Sequence, residues 1–187
     1  MALYSLRSKV SRYVSYLLRH NPAGLEMDKH GFVSLHELLQ KINMRFQVKS
    51  TFLLQIVEKS DNKRFEVVEG RVRALYGHSV PVELELEEER DIEVFYHGTT
   101  EKAVPKIMRE GLRSMKRSWV HLSPTADIAV NVGLRRTARP IVLEIDAKAA
   151  REEGTRFYKA TSNVFLCRQV RPRHIRVAFI STGYDVC

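Results

Sequence analysis

The part of this sequence best suited to ligand chemistry is Tyr96-His97-Gly98-Thr99-Thr100, which follows an apolar run, Ile92 to Phe95. The apolar run predicts a strand, and the next segment, Glu101 to Glu110, predicts a helix. Histidine and threonine offer directional hydrogen bonds, and glycine lets a ligand approach the backbone closely. This pattern suits a nucleotide, and an ordinary turn with a satisfied histidine is the alternative.

Three arginines flanked by apolar or glycine residues form a second candidate set: Arg19, Arg73 and Arg135. A guanidinium is always charged, and its planar fork fits a phosphate group. Three converging guanidinium groups would hold a doubly charged phosphomonoester or stabilise a phosphoryl transition state. A surface salt bridge is the alternative for each arginine. Arg19 and its neighbour His20 would also suit the last turn of a helix, where cations complement the dipole.

Other chemistries lack a pattern in this chain. The seven histidines do not have the spacing of zinc ligands, so we predict no metal site. The two cysteines, Cys167 and Cys187, form no disulfide framework, which favours a reducing, cytoplasmic location. No apolar run approaches the ~18 residues that would span a membrane.

The net charge of +9 is concentrated in the second half, where residues 92–187 contain 17 Lys and Arg against 9 Asp and Glu. Basic surfaces suit a polyanionic partner, most often nucleic acid. Charged faces kept for solubility are the alternative interpretation.

The first 80 residues predict three helices and a hairpin. An apolar stripe from Val10 to Leu18 predicts a helix that stops at Asn21-Pro22. Ser34 to Glu37 has the spacing of a capping box, and Ser50 to Glu58 predicts a third helix. Two short strands flank Glu69-Gly70. This order is typical of a winged-helix domain over residues 1–80, although a fold alone does not establish nucleic-acid binding.

Residues 81–91 are acidic and predict an extended connector or an edge strand. Residues 92–187 then predict an α+β domain of many short strands and two or three short helices. They contain no G-x-G-x-x-G motif, so a dinucleotide would bind without a Rossmann fold. The predicted strands after the first are Trp119–Ser123, Pro140–Asp146, Thr155–Tyr158, Val164–Cys167 and His174–Ile180, with a helix over Thr125–Val132.

Six short motifs occur in an order that resembles the NAD-dependent RNA 2′-phosphotransferase family, the KptA proteins. They are Leu18-Arg19-His20-Asn21-Pro22, Lys63-Arg64-Phe65, Val72-Arg73-Ala74 with Gly77-His78-Ser79, Tyr96-His97-Gly98-Thr99, Val120-His121-Leu122-Ser123 and Gly133-Leu134-Arg135. Each motif is weak alone, but together they cover roughly residues 5–180. The resemblance implies a winged-helix domain followed by an ADP-ribosyltransferase-like mixed α/β domain.

The resemblance also implies a two-step reaction that consumes NAD⁺. The internal 2′-phosphate of a spliced, tRNA-like RNA attacks the nicotinamide ribose C1″, and nicotinamide leaves. The ribose O2″ then attacks the phosphorus of the 2′-phospho-ADP-ribosylated RNA. The products are RNA with a free 2′-OH and ADP-ribose 1″,2″-cyclic phosphate. The first step is mainly a positioning task, and the second requires charge stabilisation, which arginines could supply without a metal.

The resemblance implies two sets of site residues. The catalytic set is Arg19, His20, Arg73 and Arg135. The cofactor-binding set is His97, Gly98, Thr99, His121, Ser123, Gly133 and Val164. By the same resemblance, the arginines hold the phosphate and His20 positions it or acts as an acid/base. His97 is on the adenosine side, His121 and Ser123 line the nicotinamide end, and Gly133 lets the backbone come close.

Several features qualify this assignment. Tyr76 stands where family members often have glutamine. Arg136 directly follows Arg135, so the choice of Arg135 as the catalytic arginine depends on its spacing from Gly133. The strand around Val164 lacks the glutamate of many ADP-ribosyltransferases, as in this family, which disfavours transfer to a protein side chain. Two alternatives stay open: ADP-ribosylation of terminal phosphates on RNA or DNA, and a non-enzymatic winged-helix regulator. We expect a monomer.

Overall fold

The computed structural model describes residues 2–58 and 63–180, with side chains from residue 6 onward, so the prediction for Cys187 lies outside the described residues. The chain divides into two compact units, Met1–Glu85 and Leu86–Cys187. Both units combine helices and strands, so the protein is of mixed α/β class.

Within its described residues the first unit contains three helices, and each lies where the sequence predicted a helix. They are α1 (Ala2–Arg19), α2 (Leu35–Asn43) and α3 (Ser50–Glu58). In α1, the predicted stripe is fully buried at Val10, Val14 and Leu17. The apolar periodicity therefore determined which side of α1 faces the core.

The predicted capping box begins α2. The Ser34 hydroxyl accepts a hydrogen bond from the Glu37 N–H at 3.3 Å, which satisfies one of the N–H groups left open at a helix start.

A three-stranded antiparallel sheet follows the order β1-β3-β2. Its strands are β1 (Val33–Ser34), β2 (Phe65–Val68) and β3 (Arg71–Ala74). The hairpin of β2 and β3 was predicted, and its turn residues Glu69 and Gly70 both have positive φ, 48° and 75°. The short strand β1 was not predicted, because it pairs with a partner far along the chain, Val72.

Up to residue 180, where the described part of the chain ends, the second unit contains nine short strands in three antiparallel sheets. The strands are β4 (Glu87–Glu89), β5 (Val94–Thr99), β6 (Leu112–Arg113), β7 (Val120–Leu122), β8 (Ile141–Asp146), β9 (Phe157–Thr161), β10 (Val164–Cys167), β11 (Gln169–Val170) and β12 (Ile175–Ile180). The sheet orders are β4-β9-β10-β7, β11-β6 and β12-β8-β5. Aromatic packing of Phe95 against Phe157 and Phe165, with ring centroids 5.1 and 4.9 Å apart, fills the core.

The helices of the second unit are α4 (Val104–Glu110), α5 (Ala126–Gly133) and α6 (Ala147–Glu152). A 3-10 turn, Glu101–Ala103, precedes α4, so the predicted helix is in two parts. Gly111 follows α4 with φ +82°, as the prediction of a terminating glycine required. The sequence did not predict α6, which Asp146 caps through its carboxylate.

Three boundaries differ clearly from the sequence prediction, the first being the strand predicted at Thr155–Tyr158, which lies at Phe157–Thr161. Within the predicted connector 81–91, Glu87–Glu89 forms β4 and pairs with β9, so part of the acidic segment is an edge strand of the second unit. His97, Gly98 and Thr99 lie inside β5 and pair with β8, so the strand extends beyond the apolar run that ends at Phe95. Among the described residues, no helix is long and apolar enough to cross a membrane.

Candidate active site

Arg19 is the last residue of α1, and its side chain is buried within the first unit. Its guanidinium carbon lies 4.8 Å from the centre of the Tyr76 ring and 5.8 Å from that of Phe65. The backbone of Gly77 passes beside it, with φ at +89°. Aromatic faces attract a cation and restrict its orientation. The guanidinium is therefore held in one direction.

His20 continues from the end of α1 and contacts the segment that follows the hairpin. Its Nδ1 lies 2.9 Å from the Ser79 hydroxyl. The Ser79 N–H also donates to the Arg19 carbonyl oxygen at 2.8 Å. These bonds fix residues 77–79 against the end of α1, so Arg19 and His20 have defined positions.

Arg73 lies on β3, opposite Glu66 of β2. Its Nε donates to the Glu66 carboxylate at 2.7 Å, and its guanidinium carbon lies 4.4 Å from the centre of the Phe32 ring. Arg73 thus has the carboxylate partner that the salt-bridge interpretation expects. A phosphate bound there would have to share this arginine with Glu66.

His78 joins these residues, although we assigned it no chemical role from the sequence. Its side chain is buried, with 3% of its surface exposed. Burial, and after it the nearby charges of Arg19, His20 and Arg73, together lower the pKa of His78 to about 4. The three predicted catalytic residues of the first unit are therefore close together around one neutral imidazole. The only signal in the sequence that could have pointed to His78 is the motif Gly77-His78-Ser79.

In the second unit, His97 and His121 are joined by a hydrogen bond. The Nδ1 of His97 lies 2.9 Å from the His121 carbonyl oxygen. Because a carbonyl oxygen only accepts, Nδ1 carries the proton. Burial lowers the pKa of His97, and the Arg136 charge adds to this effect. The ring is therefore neutral at pH 7, and its Nε2 is a hydrogen-bond acceptor.

Ser123 and Val164 lie near this pair. Tyr96 and Ser123 exchange two backbone hydrogen bonds of 2.8 Å, which connect β5 to the end of β7. Val164 immediately precedes Phe165, whose partner on β7 is Leu122, so Val164 lies at the Ser123 end of that strand. The structure thus brings four predicted cofactor residues together: His97, His121, Ser123 and Val164.

Gly98 and Gly133 face each other, and this contact corrects the reason given for them. A Cβ on Gly98 would overlap the Ala129 carbonyl oxygen of α5, and one on Gly133 would lie 2.5 Å from Pro140 Cβ. Both glycines are required because α5 packs directly on β5. The open side of each backbone therefore meets protein. Thr99, the last predicted residue of this strand, is buried.

Arg135 and Arg136 occupy the exposed turn after α5. The field of Arg136 acts on His97, which shows that this second arginine lies near the predicted cofactor residues. Sequence reasoning assigned Arg135 by its distance from Gly133, and that assignment stays a prediction.

One buried nucleophilic group, a thiol, has no place in this chemistry. Cys167 lies in the core, and burial raises the pKa of its thiol to about 12, so the thiol stays protonated at neutral pH. Over residues 2–58 and 63–180, no group of three or more His, Cys, Asp or Glu side chains could hold a metal ion.

Comparisons with known proteins agree with the motif order. Residues 5–169 match the family described as "RNA 2'-phosphotransferase, Tpt1 / KptA family". A probable RNA 2′-phosphotransferase of Pyrococcus abyssi is 41% identical over 169 residues, covering 89% of this chain and 92% of that protein. Another, of Acetivibrio thermocellus, is 39% identical over 174 residues, covering 90% and 96%.

A third relative, also a probable RNA 2′-phosphotransferase, comes from Thermococcus kodakarensis and is 40% identical over 175 residues, or 92% of this chain and 97% of that protein. The match extends through both units, so the two halves belong to one family together. The chain is therefore a member of the Tpt1/KptA family of RNA 2′-phosphotransferases and an enzyme of that type.

Proposed function

We propose that this enzyme removes the internal 2′-phosphate of an RNA by transferring it to NAD⁺. The observation that carries the proposal is the grouping of Arg19, His20 and Arg73 around His78, in a chain that belongs to this family. His78 adds no charge of its own, and the two guanidinium groups of Arg19 and Arg73 outnumber the one carboxylate, Glu66, that pairs with Arg73, so the balance of charge here is positive. Such a region favours a dianion, and a phosphomonoester is a dianion near pH 7.

The basic side chains would bind and orient the phosphate. Arg19 offers a guanidinium whose direction is set by two aromatic rings. Arg73 offers a second one, which Glu66 already orients. Arg135 is assigned to the same phosphate by its match to the family motif. Holding the nucleophile in line is the main requirement of the first step, and neutralising oxygen charge is that of the second.

His20 has two possible tasks in this scheme. Its Nδ1 contacts the Ser79 hydroxyl, which fixes the ring plane. The ring could then position the phosphate by a hydrogen bond from Nε2, or exchange a proton there during transesterification. The pH dependence of the second step would separate these tasks, because only proton exchange needs both protonation states.

The second unit would bind NAD⁺ as a co-substrate. The Nε2 of neutral His97 can accept a hydrogen bond from a ribose hydroxyl on the adenosine side. His121, Ser123 and Val164 would line the nicotinamide end, which the exchange of hydrogen bonds between Tyr96 and Ser123 keeps close to His97. Gly98, Thr99 and Gly133 are assigned to this site by their match to the family motifs, and the two glycines would act there by letting α5 pack on β5. When bound, NAD⁺ supplies the electrophilic C1″ and nicotinamide as the leaving group.

The chemistry implied by the family proceeds in two steps. The RNA 2′-phosphate oxygen forms a bond to C1″ as the bond to nicotinamide breaks. The ribose O2″ then attacks phosphorus, which leaves RNA with a 2′-OH and ADP-ribose 1″,2″-cyclic phosphate. We infer a winged-helix domain from three helices and a three-stranded sheet in the first unit. We infer an ADP-ribosyltransferase-like domain from the antiparallel sheets of the second unit.

The test is incubation of an RNA oligonucleotide carrying one internal 2′-phosphate with and without NAD⁺. We expect loss of the 2′-phosphate and release of nicotinamide only when NAD⁺ is present. Phosphate release without NAD⁺, or none with it, would refute the proposal. An RNA with a terminal phosphate is the second substrate, because stable ADP-ribosylation of that phosphate would favour the alternative activity.

Two variants sharpen the experiment. Arg135→Ala should reduce turnover by at least about a hundredfold, as removal of one charge-stabilising donor does in other enzymes. Arg139→Ala, another exposed arginine in the same turn region, is the matched control and should retain the wild-type rate. Equal rates for the two variants would remove Arg135 from the catalytic set.

A further inference from the structure

An arginine, a tryptophan and a tyrosine form a stacked cluster on the second unit. The guanidinium carbon of Arg168 lies 3.8 Å from the centre of the Trp119 ring. The Tyr158 ring packs edge-on against the indole, with centroids 5.4 Å apart and an interplanar angle of 72°. We call these three residues the Trp119 platform.

Arg168 has different contacts from several exposed arginines of this unit. Arg90, Arg109 and Arg176 each pair with a glutamate. Arg168 instead donates from Nη1 to the Ser118 carbonyl oxygen at 3.1 Å. Within the described part of the chain, no carboxylate lies at ion-pair distance from it. Its guanidinium carbon thus lies over an aromatic ring, and no carboxylate of the described residues pairs with its charge.

The platform shares a sheet face with predicted site residues. Side chains alternate along a strand, so His121 of β7 projects to one face while Val120 and Leu122 enter the core. The ring contact of Trp119 with Tyr158 places Trp119 beside that face. Leu166 pairs with both His121 and Tyr158, which places Tyr158 on that same face. Strand rise sets successive side chains on this face about 7 Å apart. That spacing is close to the separation of neighbouring nucleotides in an extended strand.

Positive charge extends beyond the platform. All residues from 113 to 117 are exposed, and they include Arg113 and Lys116. This basic segment leads directly to Trp119 in the sequence. A polyanion bound there would have its charge complemented, and a flat group on it could stack on the Arg168–Trp119 pair.

We propose that the Trp119 platform binds a nucleobase of the single-stranded RNA substrate. The inference rests on the proposed function, because it assigns this surface to the same RNA substrate. The base stacks on the guanidinium–indole pair, and the basic segment contacts the neighbouring phosphates. Stacking accepts any base, so the platform adds affinity for single strands with little sequence preference.

Tryptophan fluorescence reports binding at the platform directly, because Trp119 is the only tryptophan in the chain. The probe is a single-stranded oligoadenylate with one internal 2′-phosphate, titrated without NAD⁺. We expect quenching of tryptophan fluorescence that saturates together with the anisotropy of a labelled copy of the RNA. A duplex of the same sequence should bind without this quenching, because its bases are already stacked.

Variants then separate stacking from charge. Trp119→Leu should raise the Kd for the single strand about tenfold, within the range for loss of one stacked base, whereas Trp119→Tyr should stay within about threefold of wild type. Arg168→Gln should raise the Kd about fivefold. Arg176→Gln, an exposed arginine of another sheet, is the matched control and should bind like wild type. The kcat at saturating RNA and the KM for NAD⁺ should not change.

Unchanged RNA affinity in both Trp119→Leu and Arg168→Gln would overturn the inference. A loss of NAD⁺ affinity in place of RNA affinity would overturn it equally, because the platform would then belong to the NAD⁺ site. Arg168→Gln alters an exposed side chain, so it keeps the test valid even if Trp119→Leu does not fold. Binding is measured without turnover, so an inactive wild-type enzyme would refute the proposed function while the platform is still tested.

Discussion

The two units fix their predicted site residues by different physical means. In the first unit, cationic side chains lie close together and are held by aromatic rings and one carboxylate, as at Arg19 and Arg73. In the second unit, a neutral histidine, His97, is held by a backbone carbonyl, and the strand beneath it packs on helix backbone at Gly98. The first arrangement keeps like charges close together, and the second depends on close steric packing.

This difference predicts how each unit responds to change. Clustered cations repel one another until an anion binds, so substitutions there should alter chemistry and protonation more than folding. Close backbone packing leaves no room for an added side chain, since protein interiors are dense and deform little. Substitutions at the glycines should therefore alter folding first.

Gly98→Ala should have the largest effect on stability. The new Cβ would overlap the Ala129 carbonyl oxygen, which is backbone and cannot rotate away. We expect the free energy of unfolding of the second unit to fall by at least about 3 kcal/mol, measured by chemical denaturation. The control is Gly154→Ala, where the Cβ meets open space and the cost of about 1 kcal/mol comes from a φ of +87°. Equal losses for the two variants would contradict the packing argument.

Arg19→Met should instead remove activity while the protein stays folded. Methionine preserves the apolar packing against Tyr76 and removes a charge that is costly to bury. We expect turnover of 2′-phosphorylated RNA to fall at least about a hundredfold, equivalent to about 2.7 kcal/mol. The pKa of His78, followed by NMR, should rise because one of its neighbouring charges is gone. A rate within about threefold of wild type would exclude Arg19 from the chemistry.

His78 should give the first unit a pH-dependent stability. Its pKa is lowered from an ordinary 6.5 to about 4, so the unfolded chain binds more protons between these values. The free energy of unfolding should therefore decrease as the pH falls, by about 2 kcal/mol between pH 7 and pH 5. His78→Leu should remove most of that slope, whereas the exposed His36→Leu should leave it unchanged. His97 acts in the same direction, so His97→Leu should reduce the slope of the second unit only.

Local sequence signals predicted most of the first unit. The bounds of α3, the cap at Ser34 and the turn at Glu69-Gly70 depend on residues within a few positions, and all three were confirmed. The strand β1 was missed because two residues carry no periodicity, and its partner Val72 is distant in sequence.

The site depends on contacts that a sequence does not display. Gly98 of a strand contacts Gly133 of a helix, some thirty-five residues later in the chain. The sequence does not display this contact, so each glycine suggested the close approach of a ligand. The proximity of Arg136 to His97 is likewise a tertiary feature, and the pair Arg135-Arg136 is ambiguous by spacing. The order of the motifs identified the family. The packing of the structure then gave a different reason for the glycines at positions 98 and 133.

The smallest expected effects come from two helix caps, one in each unit. Ser34 caps α2 and Thr125 caps α5, through hydrogen bonds of 3.3 and 3.4 Å to the N–H groups of Glu37 and Ile128. Each substitution to alanine should cost its own unit about 1 kcal/mol, measured by amide hydrogen exchange. Only α5 packs on Gly98, so Thr125→Ala should also raise the KM for NAD⁺ a few-fold, whereas Ser34→Ala should not. If both variants keep the wild-type KM, the packing of α5 on β5 stabilises the second unit without shaping its NAD⁺ site.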